Sequence, residues 1–210
     1  FNVRDMLDAG LPITSGSDGP AYWPLDALRD LGVAVSRQTW AGRVDVRLGI
    51  ESDYVPGMEQ WLEKFHNMAE FNHVLGSVHP HLRDYQERYF DGEIRTFQRT
   101  YFEHLAMAAE TGLFDTIAHP DLVKNFSPPD WDVDRSLAFI LPCLDRIAAT
   151  GTAMELNTSG LNKAVPEMNP GRMMLEEMQN RNIPVVIGAD AHDPHRVGAN
   201  FMEALDMLSS

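Results

Sequence analysis

Short apolar runs alternate with longer amphipathic ones along most of this chain. Runs at 11–15, 44–50, 72–77, 113–118, 152–156 and 184–187 have the length and residue types of strands. The run at 44–50 alternates apolar and charged side chains before turning apolar, which suits a partly covered strand. Pro184 opens the last run, where its missing N–H does least harm to a ladder. Helical patterns occupy 58–70, 93–110, 133–149 and 201–208. The first sets Trp61, Leu62, Phe65, Met68 and Ala69 close to a stripe of helical period, and Gly112 and Gly151 are suited to stop the second and third. Asn169-Pro170 reads as the opening of one more helix, with Asn as N-cap and Pro in the first turn, ending near Asn182.

Strands that alternate with helices predict crossover connections and a mostly parallel sheet. The residues able to do chemistry follow the strand runs: Glu51, His79, His119, Asn157, and Asp190 with His192. A doubly wound sheet gathers only the strand ends beside its switch point. A β/α barrel brings all its C-terminal strand ends to one mouth. Chemistry after five different strands therefore favours a closed or nearly closed barrel, formed as one domain by the 210 residues.

The formal net charge of -14 excludes broad affinity for nucleic acid or anionic membrane surfaces. A small anionic substrate stays compatible with it, because bound divalent ions dominate the field of a site that holds them. Cys143 is the only cysteine, so an intrachain disulfide and a cysteine metal site are both excluded. Its apolar neighbours Ile140, Leu141 and Leu144 predict an inert place on a buried helix face. No stretch has the length and apolarity of a membrane span, and the first residues are not a signal peptide, so a cytoplasmic location is expected. The start at Phe1 rather than Met suggests trimming.

Imidazole and carboxylate together suit Zn, Fe or Mn, whereas an all-oxygen site would suit Mg or Ca. Glu51 and Asp190 are candidate bridging or mixed ligands, and His79, His119 and His192 candidate terminal ones. Two nearby ions need carboxylates to offset their repulsion, and such a pair can activate water for phosphoryl transfer. A lone histidine is more often structural than a ligand; the recurrence of glycine, strand and metal-competent side chain shifts that balance. His66, His73 and His104 lie in helical or strand-entry positions and are expected to be structural. His81 and His195 fall in loops at the mouth, where either could meet a phosphate oxygen or donate a proton. Lys124, Lys163 and Arg196 are further candidates for phosphate contact.

Five blocks carry a resemblance. They are Gly49-Ile50-Glu51-Ser52-Asp53, Gly76-Ser77-Val78-His79, Ala118-His119-Pro120-Asp121, Glu155-Leu156-Asn157-Thr158-Ser159-Gly160-Leu161 and Gly188-Ala189-Asp190-Ala191-His192. In this order they resemble the polymerase and histidinol phosphatase (PHP) family, especially its histidinol-phosphatase branch, over about 44–200. The resemblance implies a distorted seven-stranded β/α barrel holding two or three divalent ions, Zn, Mn or Fe. It implies Glu51, His79, His119, Asp190 and His192 as metal ligands, with Glu51, Asp190 and His192 catalytic. It implies a small phosphorylated metabolite as substrate: L-histidinol phosphate, hydrolysed to L-histidinol and phosphate in histidine biosynthesis. The family's barrel opens with a His-x-His strand, and this chain has no histidine before His66, so the usual first strand is expected to be missing. Residues 1–43 match poorly, and Leu7-Asp8-Ala9-Gly10 with Gly16-Ser17-Asp18-Gly19-Pro20 resemble a metal-dependent amidohydrolase instead. Hydrolysis of C–N bonds and a degenerate, non-catalytic domain are thus the alternatives.

Overall fold

A computed structural model describes residues 48–209. The strand expected at 11–15, the start of the one expected at 44–50 and the poorly matched 1–43 lie outside the described residues. The elements in order are β1 (Gly49–Asp53), α1 (Glu59–His66), β2 (His73–Ser77), α2 (Arg83–Tyr89), α3 (Ile94–Glu110), β3 (Thr116–Ile117), α4 (Val133–Thr150), β4 (Ala153–Asn157), α5 (Arg172–Asn180), β5 (Val185–Gly188) and α6 (Phe201–Ser209). Short 3₁₀ turns follow β3, β4 and β5.

The five described strands form one sheet, ordered β1-β2-β3-β4-β5 and parallel throughout. The order never reverses, so no switch point arises among these strands, and all their C-terminal ends share one edge. This winding and its helices have the character of a TIM-like sheet. Register is set by burial: Val74 and Leu75 of β2, Ile117 of β3, and Met154 and Leu156 of β4 are all inside. Gly76 of β2 is required by packing, because a Cβ there would stand 2.5 Å from Cγ of Phe114.

The main core lies where α3 and α4 cover the sheet. Phe97, Tyr101, Phe102 and Leu105 of α3 meet Ile140, Cys143, Leu144 and Ile147 of α4 in one cluster. Asp132 caps α4 by accepting the Arg135 N–H at 3.1 Å, and Gly151 ends it with φ 75°. Cys143 is buried as expected, and burial pushes its thiol up to about 11, which leaves it unreactive.

Several expected bounds shift. β1 runs over 49–53, so Glu51 is inside the strand rather than after it. The polar tail Glu51-Ser52-Asp53 can extend the ladder because each side chain finds a partner: His119 for Glu51, His66 of α1 for Ser52 and Ser77 of β2 for Asp53. β3 shrinks to two residues. In α1 only Leu62 is buried; Trp61 and Met68 of the expected apolar stripe face outward, Trp61 stacked on Phe65. Asn169-Pro170 does not open α5. That peptide is cis, Asn169 is buried in a backbone bridge to Asn157, and the helix starts at Arg172 after Gly171. Helix α2 was not expected, since Tyr85 is its sole buried side chain.

That short helix completes an aromatic box. The Tyr85 hydroxyl lies 2.7 Å from His104 Nδ1, with Tyr89 and Phe97 around the pair. Burial raises the Tyr85 phenol far above its usual range, so it stays protonated and donates, while burial lowers His104 from 6.5 to about 4. The unfolded chain therefore binds the His104 proton more readily between these values, and stability falls as pH falls through that window. The slope from this residue is about 1.4 kcal/mol per pH unit, or roughly 3 kcal/mol in all. Urea midpoints measured from pH 7 to pH 4 should show this loss in the native protein and a flatter profile in His104→Leu. Equal profiles would remove His104 as a source of acid sensitivity.

Candidate metal centre

Glu51 of β1, His79 two residues past β2 and His119 two residues past β3 converge at the C-terminal edge of the sheet. One ligand-competent atom from each lies within 4.8 Å of the others. Glu51 Oε1 is 3.0 Å from His119 Nε2 and 3.6 Å from His79 Nε2. Glu51 and His119 are buried, and the two imidazole rings sit 4.9 Å apart. A carboxylate and two imidazole nitrogens turned toward one point is the donor set of Zn, Mn or Fe. His119 Nδ1 is also buried and finds no hydrogen-bond partner among the described residues. The triad fits a divalent cation.

Asp53 orients His79. Glu51 and Asp53 stand two apart on β1 and share a face. Asp53 Oδ1 meets His79 Nδ1 and accepts from Ser77 Oγ at 3.1 Å. Burial raises the Asp53 carboxyl, but the His79 contact and charge outweigh it, so its pKa is lowered overall. A carboxylate on one ring nitrogen fixes the tautomer that leaves the other nitrogen free to bind a metal. The same i, i+2 logic could have exposed Asp53 in the sequence.

Asp190 and His192 follow β5, outside the 4.8 Å triad. Asp190 Oδ1 lies 2.9 Å from His192 Nε2, and Oδ2 accepts from Ser159 Oγ at 2.9 Å, with Lys163 Nζ at 3.5 Å. Burial works against its charge, yet His119, Lys163, Ser159 and His192 together hold the carboxyl well below the usual carboxylate range. Ser159 and Thr158, whose hydroxyl donates to the Ala199 carbonyl at 2.7 Å, tie the turn after β4 to the loop after β5. Neither was expected to serve the site.

Of the substrate candidates, His81 stands beside His79 with ring centres 5.2 Å apart and is exposed. Packing on one side partly desolvates its ring, and this first, then the charges of His79, His119 and Lys163, lower its pKa. Lys163 reaches Asp190. His195 and Arg196 occupy a 3₁₀ turn, His195 exposed and bound through its backbone to Asp193. Lys124 is placed differently from the expectation. It has no exposure, and its ammonium donates to Asp121 at 3.0 Å, Glu167 at 3.0 Å and the Met168 carbonyl at 2.8 Å. The short 3₁₀ turn after β3 aims it inward, so it braces the scaffold. His66 bonds Ser52 at 3.0 Å and His104 bonds Tyr85, both away from the triad.

Glu155 of β4 stands in one of the five resembling blocks, but the sequence reading gave it no role of its own. It is buried, and its Oε2 accepts from the His119 N–H at 2.8 Å and from Asn157 Nδ2 at 3.0 Å. Burial and the neighbouring Glu51 charge raise its carboxyl to about 7, against opposing contributions from His119 and Asn157.

No family model matches the chain. Among curated proteins, the "Probable histidinol-phosphatase" of Deinococcus radiodurans is 36% identical over 97% of this chain and 83% of its own length. The "Histidinol-phosphatase" of Bacillus subtilis is 26% identical over 81% of this chain and 72% of that protein. A crystal structure of the Lactococcus lactis histidinol phosphate phosphatase, complexed with Zn, L-histidinol and phosphate, shares the fold with TM-score 0.69. It is 16% identical and is matched over 99% of this chain and 84% of that one. No helix among the described residues is long and apolar enough to cross a membrane. Sequence kinship over nearly the whole chain, joined to the shared fold and the Glu-His-His group, leads to one assignment: the chain belongs to the PHP family, in its histidinol-phosphatase branch.

Proposed function

We propose that this protein is a metal-dependent phosphomonoester hydrolase whose substrate is L-histidinol phosphate. The observation that carries the reading is the convergence of Glu51, His79 and His119 at the sheet edge, in a chain 36% identical to a histidinol-phosphatase relative. Glu51, His79 and His119 would hold one ion, and Asp190 with His192 would take part in a second or third, as Zn, Mn or Fe. Divalent ions at such a centre supply an activated water and offset the charge of the phosphoryl group. The chain's own residues do the rest. Asp53 keeps His79 in one tautomer, and Ser159 holds Asp190 against rotation. Lys163, His81, His195 and Arg196 would contact phosphate oxygens or the leaving group. The five described strands fit a segment of a distorted seven-stranded barrel.

The test is phosphate release from L-histidinol phosphate, beside a simple aryl phosphate and an amide panel, after chelation and re-addition of Mn or Zn. Turnover is expected only with metal and only on phosphate esters. Asp190→Asn should lower turnover at least about 100-fold, since loss of a partner that merely orients a ligand already costs 10- to 100-fold. His66→Ala should leave turnover within about threefold, because surface and scaffold contacts away from the reacting groups contribute little. Cleavage of amides with every phosphate ester untouched would replace this reading with C–N hydrolysis.

A further inference from the structure

His119 adopts a backbone conformation uncommon for an L residue, with φ 28°. Its peptide groups are held on both sides. The His119 N–H donates to Glu155 Oε2, and the His119 carbonyl accepts from the Tyr101 hydroxyl at 3.2 Å and from the Leu122 N–H at 3.0 Å. Tyr101 has no exposure and Glu155 has 4%. Asn157 loads a second donor onto the same Glu155 oxygen. Space for the carboxylate depends on Gly188 of β5, where a Cβ would stand 1.7 Å from Glu155 Oε1. Three strands thus cooperate on one peptide group: β4 supplies the acceptor, β5 leaves room for it, and the residue held lies just past β3.

We propose that Glu155 is a positioning residue of the metal centre, acting through the His119 backbone to aim that imidazole at Glu51 and His79. The proposal rests on the metal-binding reading of the triad. A carboxylate suits the task better than a neutral acceptor, because an N–H donated to an anion makes a shorter and stronger bond. Two donors on one oxygen sharpen that demand. Without the acceptor, the strained His119 conformation has less to offset its cost, and the ring is free to leave the convergence point.

The experiment is a Co(II) titration of the metal-free protein at a pH of about 8, where the Glu155 carboxyl is ionised, followed by visible absorption and by metal analysis of the dialysed sample. The native protein should bind Co(II) with a defined d–d spectrum. Glu155→Leu should weaken Co(II) binding by about 10- to 100-fold, the cost of losing a partner that orients a ligand, and should change the spectrum. Gly188→Ala should reproduce that change from another strand, because its methyl displaces the carboxylate. Ile147→Val, a core truncation away from the centre, should lower thermal stability while leaving affinity and spectrum as in the native protein. This separates positioning from general loosening. Where Glu155→Leu does not fold, Glu155→Gln decides: a neutral acceptor should weaken Co(II) binding by about threefold or more. Native affinity and spectrum in the folded Glu155 variants would overturn the proposal and leave the metal-binding reading standing. A native protein that binds no Co(II) would overturn both.

Discussion

Glu51→Gln is expected to abolish tight metal retention and, with it, phosphate release. Glu51 is the one residue of the triad that contacts both histidines, through Oε1. The substitution nearly keeps the shape and removes the negative charge that a cation between these groups requires. Loss of an orienting partner costs 10- to 100-fold in metal affinity, so loss of the central carboxylate should cost at least about 100-fold. Metal analysis after dialysis should fall from near-stoichiometric to trace, and turnover to background. The metal-free variant should be no less stable than the metal-free native protein, because a buried carboxylate is costly to desolvate. That contrast separates a ligand from a structural residue. Full metal retention in Glu51→Gln would show that the convergence of Glu51 with His79 and His119 is not the binding site.

Lys124→Met should produce the largest loss of stability of any single change considered, about 3–5 kcal/mol, the cost of breaking a buried ion pair from one side. Its ammonium is fully enclosed against Asp121, which also accepts from Asn169 Nδ2 at 2.5 Å and the Gly171 N–H at 2.8 Å. Burial drives the Asp121 carboxyl up while Lys124 pulls it down, and the net pKa is raised. Removing Lys124 strands that carboxyl in the interior. Urea unfolding should place the midpoint of Lys124→Met far below native. The double variant with Asp121→Asn should recover a substantial part of the loss, since no charge is then left uncompensated. Glu167→Gln should cost no more than about 1 kcal/mol, because that partner is 44% exposed and screened. A native-like midpoint in Lys124→Met would mean that the cluster carries no net stability.

The strands and long helices were legible because burial imposes a period on the sequence. α3, α4 and α6 fall within a residue or so of their expected bounds, and Gly151 stops α4 as its type suggests. The grouping of Glu51, His79 and His119 was legible for another reason: parallel strands end at one edge, so polar residues near the ends of apolar runs can meet there. What the sequence concealed was partnership. Nothing local distinguishes Lys124, turned inward onto Asp121, from a lysine facing a substrate. Glu155 sits in an apolar run and reads as an interruption, since its partner is a backbone N–H that leaves no mark on composition. Asn169-Pro170 has the residue types of a helix start, and only the bridge to Asn157 and the bond to Asp121 give Asn169 its different place. Strand β1 runs past its expected end for a similar reason: hydropathy sees charge in Glu51 and Asp53, while the ladder sees two carboxylates with waiting donors.

The parallel register pairs Glu51 with Leu75 and Asp53 with Ser77, rung by rung. Side chains on a strand alternate between faces, so sliding β1 by a single residue would turn Glu51 and Asp53 away from the histidines together. The connecting segments carry no such constraint, because length added there is absorbed at the surface. Change in this molecule is therefore channelled: the mouth can be remodelled by lengthening what joins the strands, and the reactive centre keeps its geometry only while the strands keep their count.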